Sequence, residues 1–270
     1  MTPARDPETG FVQESDDPVE AFRMPLMQHL VELRRRLIIS LAATFVCMCA
    51  TYFYAERIWT FLAEPMNEAL VKHNGRLIQL DPLEGFTNQL RVAGLAGFLI
   101  ASPIVMYQIW RFVAPGLYPK EQKVIVPLAM ASTVLFALGV TFGYFGVFKY
   151  AFPFFLDITY TGVEAQIPIN TYLSMATNML LAFGICFQLP IVVFFAARIG
   201  LVHHRDLIAG FRYAMVGILI IAAMMTPGPD IISQLIMALP LTLLYIAGIG
   251  VAWVFSTKPL TPPAEVPAKP

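Results

Sequence analysis

Long stretches without a single Asp, Glu, Lys or Arg alternate along the chain with short stretches that hold nearly all of its charge. Five charge-free runs stand out, at 37–54, 92–110, 124–148, 171–197 and 231–255. A helix rises about 1.5 Å per residue, so a run of roughly 18 or more such residues can cross about 30 Å of hydrocarbon. Each run therefore predicts a membrane-spanning helix. A sixth run, Tyr213 to Thr226, has only 14 residues. It makes about 21 Å of helix, about 9 Å short of the hydrocarbon core. A short span is accommodated by a thinned bilayer or by oligomerisation, or else its turn dips into a protein-lined cavity. Between the first two runs, Glu56–Leu70 carries Ile58, Phe61, Leu62, Met66 and Leu70 at helical spacing, which predicts an amphipathic helix lying on the membrane surface. The aromatic and apolar residues of 150–170 predict a structured cap. Pro103, Pro127, Pro153, Pro190 and Pro240 sit in or beside the runs. Each removes a backbone donor and can bend its helix, although membrane helices tolerate proline in any case.

The expected fold class is thus an all-α membrane protein. It has six bent helices at about 37–54, 92–110, 124–148, 171–197, 213–226 and 231–255, arranged as a curved wall, with the fifth and sixth short or shallow. The membrane domain covers 25–256. It is flanked by an acidic tail over 1–24 and a Pro-rich tail over 257–270, both expected to be disordered. The first 23 residues hold six acids and no apolar run, so they do not read as a cleavable signal.

Composition agrees: 57% of the 270 residues are apolar and 13% are charged, about half the charged share of a soluble domain. A formal net charge of zero gives no reason to expect nucleic acid as a partner. The placement of charge says more. With six spans, thirteen Lys and Arg fall on the side of both termini and five on the other, which predicts cytoplasmic termini. Without the short run the C-terminal tail changes sides and the bias weakens only slightly.

Cys47, Cys49 and Cys186 all lie in predicted spans and read as small apolar residues. His29, His73, His203 and His204 lack metal-ligand spacing to acids or thiols. There is no nucleophile elbow, phosphate loop or metalloprotease motif, so neither an enzyme nor a metal or organic cofactor is expected. A small-molecule or ion permease is the alternative class. It would show paired halves with broken helices and an ionisable residue at the bilayer midplane; no internal repeat and no such residue is visible.

Six segments in order, spread over about 25–255, carry a resemblance. They are His29-Leu30-Val31-Glu32-Leu33-Arg34-Arg35-Arg36-Leu37; Ser102 through Tyr118 with Lys120-Glu121; Phe142-Gly143-Tyr144-Phe145; Tyr172-Leu173-Ser174 with Ala182-Phe183-Gly184; Phe187-Gln188-Leu189-Pro190; and Thr226-Pro227 with Asp230 and Ser233-Gln234. Together these are similar to the TatC family, the multi-spanning signal-peptide receptor of the twin-arginine (Sec-independent) protein translocase of the inner membrane. The resemblance implies a receptor that works with TatB-like and TatA-like single-span proteins, assembles with copies of itself and uses the proton-motive force. It also implies a signal-peptide surface built from Glu32 and Glu121, with Arg34, Arg36, Phe112, Pro115, Leu117 and Tyr118 around them. Two carboxylates suit two arginines, since a guanidinium engages a carboxylate through a rigid fork that lysine lacks. Glu32 could instead simply pair with Arg35 or Arg36 along its helix, and Arg34 and Arg36 could serve only as anchors. The resemblance further implies docking of the partner helices at Gln188, Met224, Thr226 and Gln234. Some relatives carry Glu where this chain has Gln188. Ordinary helix–helix hydrogen bonding is the competing reading of Gln188, and a helix cap that of Asp230.

Overall fold

A computed structural model describes residues 18–113, 125–157, 164–225 and 231–255. The chain is helical almost throughout. A 35-residue helix, α1 (Pro18–Tyr52), begins inside the stretch expected to be a tail. An elbow at Phe53 and Tyr54 then turns the chain by 87° into α2 (Ala55–Lys72). The next helix is α3 (Glu84–Val113). It is followed by α4 (Ile125–Phe142), a π-helical turn over Gly143–Phe148, and α5 (Lys149–Asp157). Then come α6 (Ile169–Cys186) and α7 (Leu189–Arg198), two halves of one 30-residue rod. A short α8 (His204–Ala209), α9 (Phe211–Met225) and α10 (Ile231–Phe255) complete the order.

By length and composition, four helices can cross a membrane: Glu84–Val113, Ile125–Phe154, Ile169–Arg198 and Met237–Val254. The bent α1–α2 pair makes five, and the short apolar helix Phe211–Met224 is the remaining candidate. The helices around the charge-free runs end within two residues of the runs' limits or run past them, because hydrogen bonding rather than charge decides where a helix stops. Leu37, Leu41, Phe45 and Val46 lie exposed on α1, as do Val216, Ile220 and Met224 on α9. Exposed apolar surface on this scale suits lipid or a partner helix.

α1 runs antiparallel to α3, joined along its length. Thr51 Oγ1 donates to the Ala93 carbonyl at 2.9 Å in a buried contact. One turn back, a Cβ on Gly97 would stand 2.5 Å from the Met48 backbone nitrogen. Only glycine permits that approach. α4 and α6 interlock in the same way: a Cβ on Gly139 would lie 2.6 Å from the Phe183 carbonyl oxygen, and one on Gly184 would lie 2.5 Å from the Phe136 ring.

The main core lies toward the elbow, where α2 lays Leu62, Met66 and Leu70 against α3, α5 and α6. Ile58 is half-buried, and Phe61 is mostly exposed, stacked on Tyr144 with ring centroids 4.5 Å apart. Pro65 lies inside α2 and cannot donate to the carbonyl four residues earlier, Phe61. The Tyr144 hydroxyl, presented by the π-helical turn, donates to that carbonyl at 2.5 Å. Buried Tyr172 does the same for the next one, Leu62, at 2.5 Å. Tyr144 thus supplies the donor the proline removed, and Tyr172 adds a second tie to the neighbouring carbonyl. Just past the end of α2, Asn74 takes the left-handed region with φ 53°. From there β1 (Arg76–Ile78) pairs in parallel with β2 (Gln166–Pro168), Arg76 opposite Gln166. This bridge, His73 Nε2 to Asp157 Oδ1 at 3.1 Å, and α5 tie down the described parts of the 150–170 stretch, 150–157 and 164–170.

Candidate functional site

Glu32 and Arg36 share one face of α1, four residues apart. Arg36 reaches the same carboxylate oxygen of Glu32, Oε1, from Nη2 at 2.5 Å and from Nε at 3.2 Å. Its other terminal nitrogen, Nη1, donates to Oε1 of Gln108 on α3 at 3.1 Å. The side chains of Arg36 and Glu32 are 16% and 31% exposed, and Gln108 is buried. Glu32 Oε2 takes no hydrogen bond among the described residues. The carboxylate is thus oriented by one guanidinium, with its other oxygen unbonded among the described residues.

This end of α1 is fastened to α3 a second time. His29 stacks on Phe112 with ring centroids 4.4 Å apart. Beneath lies a small apolar cluster of Trp110, Leu128, Ala129 and Ile191. There the Trp110 indole donates to Ser132 Oγ at 2.6 Å. Tyr107 lies beneath Arg111, 5.8 Å from guanidinium carbon to ring centroid. Of the residues expected to form the signal-peptide surface, Glu32, Arg36 and Phe112 come together. Arg34 is exposed on the same helix. Glu121, Pro115, Leu117 and Tyr118 lie outside the described residues.

Two residues of the site were not foreseen. Gln108 is the one amide in the apolar run 92–110, and a polar residue in a span normally has a partner, so a signal was there. The stacking of His29 left no trace in spacing.

The second expected site lies across α4, α7, α9 and α10. Gln188 sits at the break between α6 and α7. Pro190 cannot donate to the Cys186 carbonyl there, so the rod loosens into a turn. The Gln188 amide donates to the Ser132 carbonyl of α4 at 2.8 Å. Gln234 likewise donates to the Leu219 carbonyl of α9 at 2.9 Å. Both amides therefore make bonds inside the chain, and both side chains remain half-buried. Met224 is 81% exposed. Thr226 and Asp230 lie outside the described residues. Among the described residues no group of three or more His, Cys, Asp or Glu could hold a metal ion.

Residues 28–240 match the profile of the family described as Sec-independent protein translocase protein (TatC). The chain is 38% identical over 229 residues to a Sec-independent protein translocase protein TatC of Carboxydothermus hydrogenoformans, covering 85% of this chain and 93% of that one. It is 39% identical over 239 residues to the protein of the same name from Desulforapulum autotrophicum, covering 88% of each. A crystal structure described as the twin-arginine translocase receptor TatC superposes with a TM-score of 0.74 at 34% identity, covering 83% of this chain and 97% of that one.

Proposed function

Because the chain belongs to the TatC family of Sec-independent protein translocase proteins, we propose that it is the receptor that binds twin-arginine signal peptides of folded cargo at the inner membrane. The observation that carries this reading is the half-spent carboxylate of Glu32. Arg36 holds Oε1 and leaves Oε2, so an incoming guanidinium can join without breaking the existing pair. Glu121, between α3 and α4 in sequence, supplies the second carboxylate, and Pro115, Leu117 and Tyr118 add to the same surface. Phe112, kept in place by His29, offers apolar surface to the signal. A charge-assisted bond at a drier headgroup level is stronger than the ~0–1 kcal/mol of a fully exposed pair.

Arg36 acts here as a positioning residue, and Arg34 adds positive charge at the rim. Both termini face the cytoplasm on the thirteen-to-five bias, which puts Glu32 on the side where cargo is made. TatB-like and TatA-like helices dock along α7, α9 and α10 through Gln188, Gln234 and exposed Met224, together with Thr226. Several copies of the chain assemble into the complex. The test is export of a twin-arginine cargo by Glu32→Ala, Glu121→Ala and the double variant, each checked for insertion and abundance. Loss of export with normal abundance is expected; full export by the double variant would remove the two-carboxylate reading.

A further inference from the structure

At the opposite end of α1 from Glu32, three helices begin around one pocket of about 270 Å³. Ala55, Glu56 and Trp59 of α2 line it, with Gly85, Asn88 and Val92 of α3 and Ile169 at the start of α6. Asn88 is 7% exposed, and its carboxamide oxygen has no hydrogen-bond partner. A buried acceptor left unpaired costs about 1–3 kcal/mol, so a donor supplied from outside would recover it. The acids nearby differ in what they hold. Glu84 accepts the Leu80 backbone N–H at 3.0 Å and Asp81 that of Leu83 at 2.7 Å. The Glu56 carboxylate has no such bond among the described residues, and it is exposed at the rim beside half-buried Trp59.

An unpaired carbonyl oxygen, an unspent carboxylate and an indole in the lining describe a cradle for an ammonium group. Cationic chemistry also lies at the same mouth. Arg91, one turn beyond Asn88, donates to Asn170 Oδ1, next to Ile169. α6 starts at Pro168 without a side-chain cap, which leaves its first backbone N–H groups for an anion. The depth fits a lipid headgroup: the charge-free part of α3 begins at Val92, so the pocket sits where the spans leave the hydrocarbon.

We propose that this pocket binds the headgroup of an aminophospholipid, its ammonium between Asn88, Glu56 and Trp59 and its phosphate toward Arg91 and the start of α6. Positive and negative partners in one small pocket select a zwitterion over an anionic lipid. The primary ammonium selects phosphatidylethanolamine over phosphatidylcholine, whose methyl groups cannot donate to Asn88. The site is independent of the signal-peptide reading, because it lies at the other end of the spans.

The test is native mass spectrometry of the full chain released from nanodiscs holding equal phosphatidylethanolamine, phosphatidylcholine and phosphatidylglycerol. Preferential retention of phosphatidylethanolamine is expected. Asn88→Leu should cut that retention about fivefold, the equivalent of one ordinary hydrogen bond. Glu56→Gln, at an exposed position that leaves the fold alone, should lower phosphatidylethanolamine and raise phosphatidylglycerol. Equal retention of the three lipids, or a Glu56→Gln protein with wild-type preference, overturns the proposal. O-phosphoethanolamine in detergent separates the sources: displacement of the lipid by this soluble headgroup at micromolar concentration would make a free amine the ligand and overturn the lipid assignment.

Discussion

Arg36 spends two donors on one oxygen of Glu32 and a third on Gln108, so three side chains from two helices set the direction of one carboxylate. Gln108→Leu removes the link to α3 while leaving Glu32 in place. It should weaken signal-peptide binding by about tenfold, given ~1.5–3 kcal/mol for a buried bond to a charged group, with little loss of inserted protein. Peptide titration against the purified chain checks this, and unchanged affinity would show that Arg36 positions Glu32 unaided. Gln188 carries a different expectation, since its amide already donates to Ser132. Gln188→Leu should cost ~0.6–2 kcal/mol in thermal stability and loosen partner cross-links along α7 and α9. A stability loss with intact cross-links would confine Gln188 to internal packing. Glu32 was legible from sequence because it sits in a motif; its geometry was not, because the partner that matters, Gln108, is 76 residues away.

At the scale of elements, apolar runs located the helices well, and the amphipathic spacing of 56–70 located α2. Three devices were invisible for physical reasons. The β1–β2 bridge is three residues per strand, too short to show a period of two. The π-helical turn is a change of hydrogen-bond partner with no side-chain signature. The elbow between α1 and α2 depends on what α2 packs against. Pro65 explains part of that packing, because the carbonyl it orphans is the one Tyr144 satisfies. Tyr144→Phe should therefore lower the melting temperature in the native background, by the ~1–2 kcal/mol of an unmet carbonyl. It should cost clearly less beside Pro65→Ala, where an N–H returns to that carbonyl. Equal costs in the two backgrounds would break the link between proline and tyrosine. Gly97→Ala is a second test: the backbone of Met48 cannot yield as a flexible side chain would, so separation of α1 from α3 should cost ~1–3 kcal/mol. Wild-type melting would contradict it.

Across the whole molecule, the main apolar core gathers at the elbow end, while a smaller cluster supports the Glu32 end. The apolar core thus holds the helices together at one end, and the Glu32 end is joined by a few polar links. α9, at 15 residues, is about 22 Å long; as a span it would require the bilayer beside it to thin or a partner to cover the mismatch. Membrane class and helix order could be read from charge-free runs alone, and the family from six short segments. The join between α1 and α3 at Gln108 could not, since it exists only once the chain is folded. The claim on which the rest depends is that Glu32 meets the arginines of the signal. The most direct measurement is cross-linking of a photoreactive twin-arginine peptide to the membrane-inserted chain, with the adducts mapped. The account predicts adducts around Glu32, Phe112 and the 114–124 loop that disappear when the peptide's arginine pair becomes two lysines or when Glu32 becomes Ala. Adducts confined to the elbow end, or adducts at Glu32 that survive both changes, would contradict it.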